Sequence, residues 1–195
     1  MAEMNSYWLD YFDSASRNLS TLSANEVILD QVVDVCVGAL QNDNCIYWCG
    51  NGGSASDAQH LAAELLGRFS LDRRPLRSIS LNTDTSVMTA IANDYGYDEV
   101  FKRQLDGLGK AGDVLFGIST SGNSRSVVNA LELAKSKKIV TISLTGPNDA
   151  AAHQYSDFSL RCDSIVTSHI QESHICMGQA ICGAIEKTLF PPTEI

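Results

Sequence analysis

Residues 45–60 read CIYWCGNGGSASDAQH. The apolar run CIYWC (45–49) drops straight into GNGG, and a helical pattern follows at about 54–69. A run this short, closed by glycine, has the length of a buried strand rather than of a buried helix. A strand that turns directly into a helix is the first half of a βαβ unit. Whether it decides the fold depends on whether the chain repeats it.

The pattern recurs. RSISL (77–81) is a second short strand. DVLFGIS (113–119) is apolar and is halted by STSGNS, and a helix with Val127, Val128, Leu131 and Leu133 follows. The β-branched run IVTISLT (139–145) ends at GPND, and DFSLRC (157–162) is a weaker strand. Short buried strands alternating with helices predict an α/β fold with a parallel sheet covered on both faces. Ligands of such sheets bind beyond the carboxyl ends of the strands. The two Gly/Ser-rich loops that follow 45–49 and 113–119 therefore mark the rim of the pocket.

Two amphipathic helices precede this core, near 5–20 and 25–41. Asn25 is placed to cap the second, with Val27, Ile28, Val32, Val33, Cys36 and Leu40 on its apolar side. A long last helix runs from about 168 to 189 and stops at Phe190-Pro191-Pro192. No internal repeat or linker divides the chain. One domain is expected over 1–195, with a helical segment over 1–42 and the α/β core over 43–195.

The net charge of −9 argues against direct binding to nucleic acid, which needs a basic face. It leaves room for a small anion held by backbone N–H groups. The N-terminal stretch lacks a cationic start and an apolar core, so it does not read as a signal peptide. No apolar run reaches the ~18 residues of a membrane span, and a cytoplasmic protein without membrane partners is expected. The six cysteines form no CxxC pair and read as buried free thiols.

Each candidate site residue has a plain structural reading beside the functional one. In GNGG, Gly50, Gly52 and Gly53 lack the dinucleotide-binding spacing, so a tight turn competes with an anion site at helix N–H groups near Ser54. STSGNS crowds four hydroxyls, Ser119, Thr120, Ser121 and Ser124, at a strand-to-helix turn. One hydroxyl suffices for an N-cap; four favour a phosphate cradle. His60 and Glu64 stand at i,i+4 on one helix face, where an imidazole and a carboxylate can share a metal or supply a base. Asn93-Asp94 before Tyr-Gly is a turn or a site. SHIQESHICMGQ (168–179) holds two of the four histidines and two glutamines.

Taken together, CGNGGSASDAQHLAAELLGRF, NTD, AIANDYGYDEVF, GDVLFGISTSGNS and HIQESH resemble the sugar isomerase (SIS) family, and within it the phosphoheptose isomerases. The resemblance spans nearly the whole chain. It implies a flavodoxin-like, five-stranded parallel sheet, a homotetramer with active sites between subunits, and conversion of sedoheptulose 7-phosphate to D-glycero-D-manno-heptose 7-phosphate for bacterial surface-heptose synthesis. By matching motif it implies that Asn51, Gly52, Gly53, Asn93 and Asp94 contact the sugar phosphate. It implies that Ser119, Thr120, Ser121 and Ser124 hold the phosphate. His60, Glu64 and Gln171 match zinc ligands, and Glu64 matches a catalytic acid/base.

One position departs from the pattern. Eight residues after Gln171 the family places a catalytic, zinc-binding histidine, and this chain has Gln179. An amide cannot act as a general acid or base near neutral pH, and its oxygen is a weaker zinc ligand than imidazole. His174 lies five residues earlier, about 140° around a helix, and reads as a core histidine. His169 faces elsewhere if the helix has already begun there. A sister group without isomerase function, resembling the DnaA initiator-associating protein, also lacks the late histidine. SLNTDTSVMTAIAND, SGNSRSVV and KTLFPP lean towards it, whereas Glu64 and NDYGYDEVF do not. The resemblance thus implies an isomerase, with a non-catalytic tetramer that binds a replication initiator, or senses a sugar phosphate, as the alternative.

Overall fold

The computed structural model describes residues 2–191, with side chains from residue 6. Pro192, part of the expected helix stop, lies outside the described residues. In chain order the elements are α1 (Ala2–Ser20), α2 (Glu26–Gln41), β1 (Ile46–Gly50), α3 (Gly53–Leu66), β2 (Ser78–Ser80), α4 (Thr85–Tyr95), α5 (Val100–Leu108), β3 (Val114–Ile118), α6 (Arg125–Ser136), β4 (Val140–Thr145), α7 (Ala151–Gln154), β5 (Phe158–Arg161) and α8 (Thr167–Leu189). The five strands form one sheet in the order β2-β1-β3-β4-β5, and every pair is parallel.

The strands lack polar alternation because both faces of the sheet are covered. All five residues of β1 and of β3 are buried. Successive side chains point to opposite faces, so each run is divided between two cores. Ile46, Trp48, Val114, Phe116, Ile142 and Leu160 pack with α2, α3 and α8. Tyr47, Cys49 and Leu115 pack with α5 and α6. Trp48 and Phe116 are register partners, and their rings stack at 4.0 Å.

A buried ion pair locks α3 to α8. Glu186, on α8, accepts from the backbone N–H groups of Phe69 (3.1 Å), Ser70 (2.8 Å) and Leu71 (2.8 Å) and from Arg73 Nε (2.9 Å). Arg73 in turn donates to the carbonyls of Glu64 (2.9 Å) and Leu65 (2.8 Å). Burial by itself would raise the Glu186 pKa, but the three N–H groups and Arg73 outweigh it and hold the carboxyl below its usual range. The same bonds bend the chain away from the helix, so α3 ends at Leu66, short of the expected Phe69.

Several sequence expectations are corrected. Asn25 precedes α2 but makes no side-chain cap; its amide donates instead to Leu22 O (3.3 Å) and Arg161 O (3.1 Å). Val27 faces solvent, 71% exposed, rather than the apolar side of α2. All six cysteines are free; Cys176 is exposed, and the other five are buried. The helices α4 and α5 have no counterpart in the sequence reading.

Candidate active site

The loop after β1 is a tight turn that uses its N–H groups internally. Ser54 N–H donates to Asn51 O (3.1 Å), and Ala55 N–H to Gly52 O (3.0 Å). Gly52 has φ +58°, a conformation open to glycine. Of the helix-start N–H groups expected to face an anion, those of Ser54, Ala55 and Ser56 are already bonded, whereas those of Gly52 and Gly53 find no acceptor among the described residues. Gly53 serves a close approach: a Cβ there would lie 2.5 Å from Gln171 Nε2, so the amide of Gln171 on α8 sits against this turn. Asn51 is held from two sides, donating to Ser126 Oγ (3.0 Å) and accepting from Tyr97 O–H (2.8 Å). Sequence reasoning passed over both partners, although Tyr97 lies within the quoted NDYGYDEVF.

The loop after β3 is built differently. Ser124 occupies the N-cap position of α6, yet its hydroxyl makes no cap bond. It accepts instead from Ser119 Oγ at 3.2 Å, and Ser121 Oγ lies 3.5 Å from Ser119 Oγ. The hydroxyls of Ser119, Ser121 and Ser124 converge on one another rather than on the helix end, and Ser121 Oγ also accepts from Asn123 N–H (3.1 Å). Among the described residues the backbone N–H groups of Thr120, Ser121 and Ser124 find no acceptor. Thr120 and Ser121 also line a cleft of about 210 Å³ with Thr167 and Ile170 at the start of α8. Hydroxyls and N–H groups turned together suit an anion with several acceptor oxygens.

On α3, His60 Nε2 lies 3.0 Å from Glu64 Oε1. The side chain of Gln179 reaches them from α8, with Nε2 3.2 Å from His60 Nε2. The two nitrogens cannot both donate. If His60 Nε2 carries its hydrogen towards the carboxylate, the Gln179 amide turns its oxygen to the imidazole. Gln179, and not Gln171, is the glutamine in hydrogen-bond contact with this pair.

Asn93 and Asp94 fall in the last turn of α4 rather than in a loop, both exposed, with Asn93 Nδ2 2.8 Å from Asp94 Oδ1. Asp94 lines a cavity of about 610 Å³ beside the edge strand β2, together with Arg103 and Tyr95. The two remaining candidate histidines belong to the packing. His174 is fully buried, and neither ring nitrogen makes a hydrogen bond of good geometry among the described residues. Burial pulls its pKa down to about 4, against a smaller opposite pull from the Thr145 backbone. His169 lies inside α8, bonds Glu172 Oε2 at 2.8 Å and packs against the Tyr11 ring, centroids 4.6 Å apart and planes tilted by 52°, so it is committed to α1.

The donor set does not fit the expected zinc. Catalytic zinc usually has three strong protein ligands. Among the described residues no group of three or more His, Cys, Asp or Glu is placed to hold a metal ion. His60 and Glu64 supply two, and the glutamines offer only amide oxygens.

Comparison with known proteins matches residues 10–146 to the SIS domain. Phosphoheptose isomerase of Helicobacter pylori (strain P12) is 51% identical over 180 residues, covering 92% of each chain. Phosphoheptose isomerase of Sulfurimonas denitrificans is 45% identical over 190 residues, covering 96% of this chain and 97% of its own. Among solved structures, phosphoheptose isomerase from Neisseria gonorrhoeae superposes with TM-score 0.89 at 38% identity, covering 94% of this chain and 99% of that one.

Proposed function

The chain belongs to the SIS domain family and, within it, to the phosphoheptose isomerases, and on that premise we propose that it converts sedoheptulose 7-phosphate to D-glycero-D-manno-heptose 7-phosphate. The observation that carries the proposal is the His60–Glu64 pair, 3.0 Å apart on the helix that leaves the first glycine loop. Ketose-to-aldose exchange removes a proton from C1 while O2 gains one, giving an enediol. O1 then loses its proton and C2 gains one. Glu64 is the carboxylate for the carbon-bound proton. With an amide at position 179, the oxygen-bound proton falls to His60. Gln179 contributes a hydrogen bond to imidazole or substrate oxygen but no proton transfer.

In this reading Ser119, Thr120, Ser121 and Ser124 hold the phosphate. Asn51, Gly52, Gly53, Gln171, Asn93 and Asp94 belong to the sugar's surroundings. A homotetramer is part of the proposal, supported by Tyr7, Trp8, Leu9 and Phe12 on α1, each more than half exposed. Among the described residues no helix is long and apolar enough to cross a membrane. The deciding experiment incubates purified protein with sedoheptulose 7-phosphate and follows the aldose product. Product formation that drops about 10²–10⁴-fold in Glu64→Gln supports the assignment; no product above that control overturns it.

Gln179 favours a second reading, a tetramer that binds sugar phosphate or a replication initiator without turnover. Measurable affinity for the sugar phosphate, or capture of purified initiator, with no aldose formed would select it.

A further inference from the structure

The loop 119–124 is shaped from behind by residues 145–153. Gly146 N–H donates to Thr120 O (3.1 Å), and Ala152 N–H to Gly122 O (3.0 Å). Ala151 N–H donates to Asn123 Oδ1 (3.0 Å). Gly122 has φ +65°, and a Cβ there would collide with Ala150. These contacts turn two loop carbonyls towards 146–152. The free N–H groups and hydroxyls of the loop are left for a ligand.

The segment is itself closed by one side chain. His153 Nδ1 faces Ala150 N–H (3.3 Å) and Arg161 Nη2 (2.5 Å), both of which only donate. Nδ1 must therefore carry the lone pair, and Nε2 the hydrogen, which it donates to Thr145 Oγ1 at 3.0 Å. Thr145 Oγ1 passes its own hydrogen to Gly146 O (3.1 Å). Neutral His153 thus ties the end of β4 to the start of α7 and to β5. Arg161 is further anchored to Asp149 at 2.7 Å.

We infer that His153, as the neutral Nε2–H tautomer, is a positioning residue for the phosphate loop, holding the 145–152 segment that orients Thr120, Gly122 and Asn123. The inference rests on reading 119–124 as the phosphate loop. The charged groups facing the imidazole are Arg161 on β5 and Asp149 before α7. Burial lowers the His153 pKa, Arg161 lowers it further, and Asp149 opposes them. Protons reach the ring from a cavity of about 470 Å³ lined by Asn123, Asp149, His153 and Arg161. A proton on Nδ1 would oppose two donors and open the tie.

The test compares wild type with His153→Ala, His153→Asn and His153→Gln. Asparagine keeps an acceptor near the Nδ1 position, and glutamine keeps a donor near Nε2. Thermal melts accompany KM and kcat for sedoheptulose 7-phosphate and the Kd for inorganic phosphate. His153→Ala is expected to raise KM and the phosphate Kd about tenfold, with kcat within about threefold of wild type, and the two amides to fall between. The additional weakening of phosphate binding on acidification, beyond that shared by all variants through phosphate's own ionisation, should vanish in His153→Asn. If the alanine variant does not fold, the two amides carry the test. Unchanged phosphate affinity in every His153 variant overturns the inference, as does a fall in kcat with KM unchanged. A Ser121→Ala/Ser124→Ala control separates the two levels. If it too leaves phosphate affinity unchanged, the loop is not the phosphate site; if it weakens binding while His153 variants do not, only the role of His153 fails.

Discussion

Gln179 Nε2 lies 3.2 Å from His60 Nε2, although 119 residues separate them in sequence. The packing of α8 on α3 thus brings position 179, where the resemblance implies a histidine, directly to the His60–Glu64 pair.

Gln179→His should therefore restore a titratable group where one can work. Turnover of sedoheptulose 7-phosphate is expected to rise by about tenfold or more, a fraction of the 10²–10⁴ that a general acid or base supplies. The variant would also bring three strong donors together, and its zinc affinity by metal titration should exceed that of wild type. Equal turnover and equal metal binding would show that position 179 does not act on the pair.

Ser124→Ala isolates the phosphate loop from helix capping. An N-cap serine lost to alanine ordinarily costs about 1 kcal/mol. The Ser124 hydroxyl makes no cap bond, so the melting temperature should stay within about 2 °C while KM for the sugar phosphate rises severalfold. A clear loss of stability with unchanged KM would restore the capping role.

Glu186→Gln leaves the Arg73 charge buried without its partner. Breaking such a pair costs about 3–5 kcal/mol, read by urea unfolding. Replacing both residues, with Arg73→Met and Glu186→Leu together, should cost less than the sum of the single changes, because no charge is then stranded. Additive losses would mean that the pair is not coupled.

Acid should weaken the protein partly through His174. Its folded pKa of about 4 lies below the ordinary imidazole value of 6.5. The unfolded chain binds the proton first, so this contribution is complete above pH 6.5 and is lost as pH falls towards about 4. It amounts to about 3 kcal/mol at most. Asp57 works in the opposite direction: burial raises its pKa from 3.8 to about 6, so the folded state gains stability on acidification across that window. The readout is the difference between wild type and His174→Leu in urea unfolding at pH 4.5 and pH 7. The leucine variant should lose less stability on acidification; an identical loss would remove His174 from the account.

The class of fold and the ends of most strands follow from local sequence pattern. CIYWC and DVLFGIS were legible because a strand buried on both faces is apolar throughout and stops at glycine or serine. The last helix was legible from its length and its proline stop. The helix α4 was not, because none of its residues is buried and it lacks a strong apolar stripe. The sequence also named His60, Glu64 and the four hydroxyls as candidates from their spacing. What each one faces is set by tertiary packing. It turned the Ser124 hydroxyl from the helix end to its loop neighbours, assigned His169 to α1, and put Gln179 against His60. It also placed His153 behind the phosphate loop, through bonds to Arg161 and Thr145. Such relationships depend on which helix faces cross and on where single donors meet single acceptors. Local periodicity carries neither, because it records which side of an element is apolar and not what the opposite element presents.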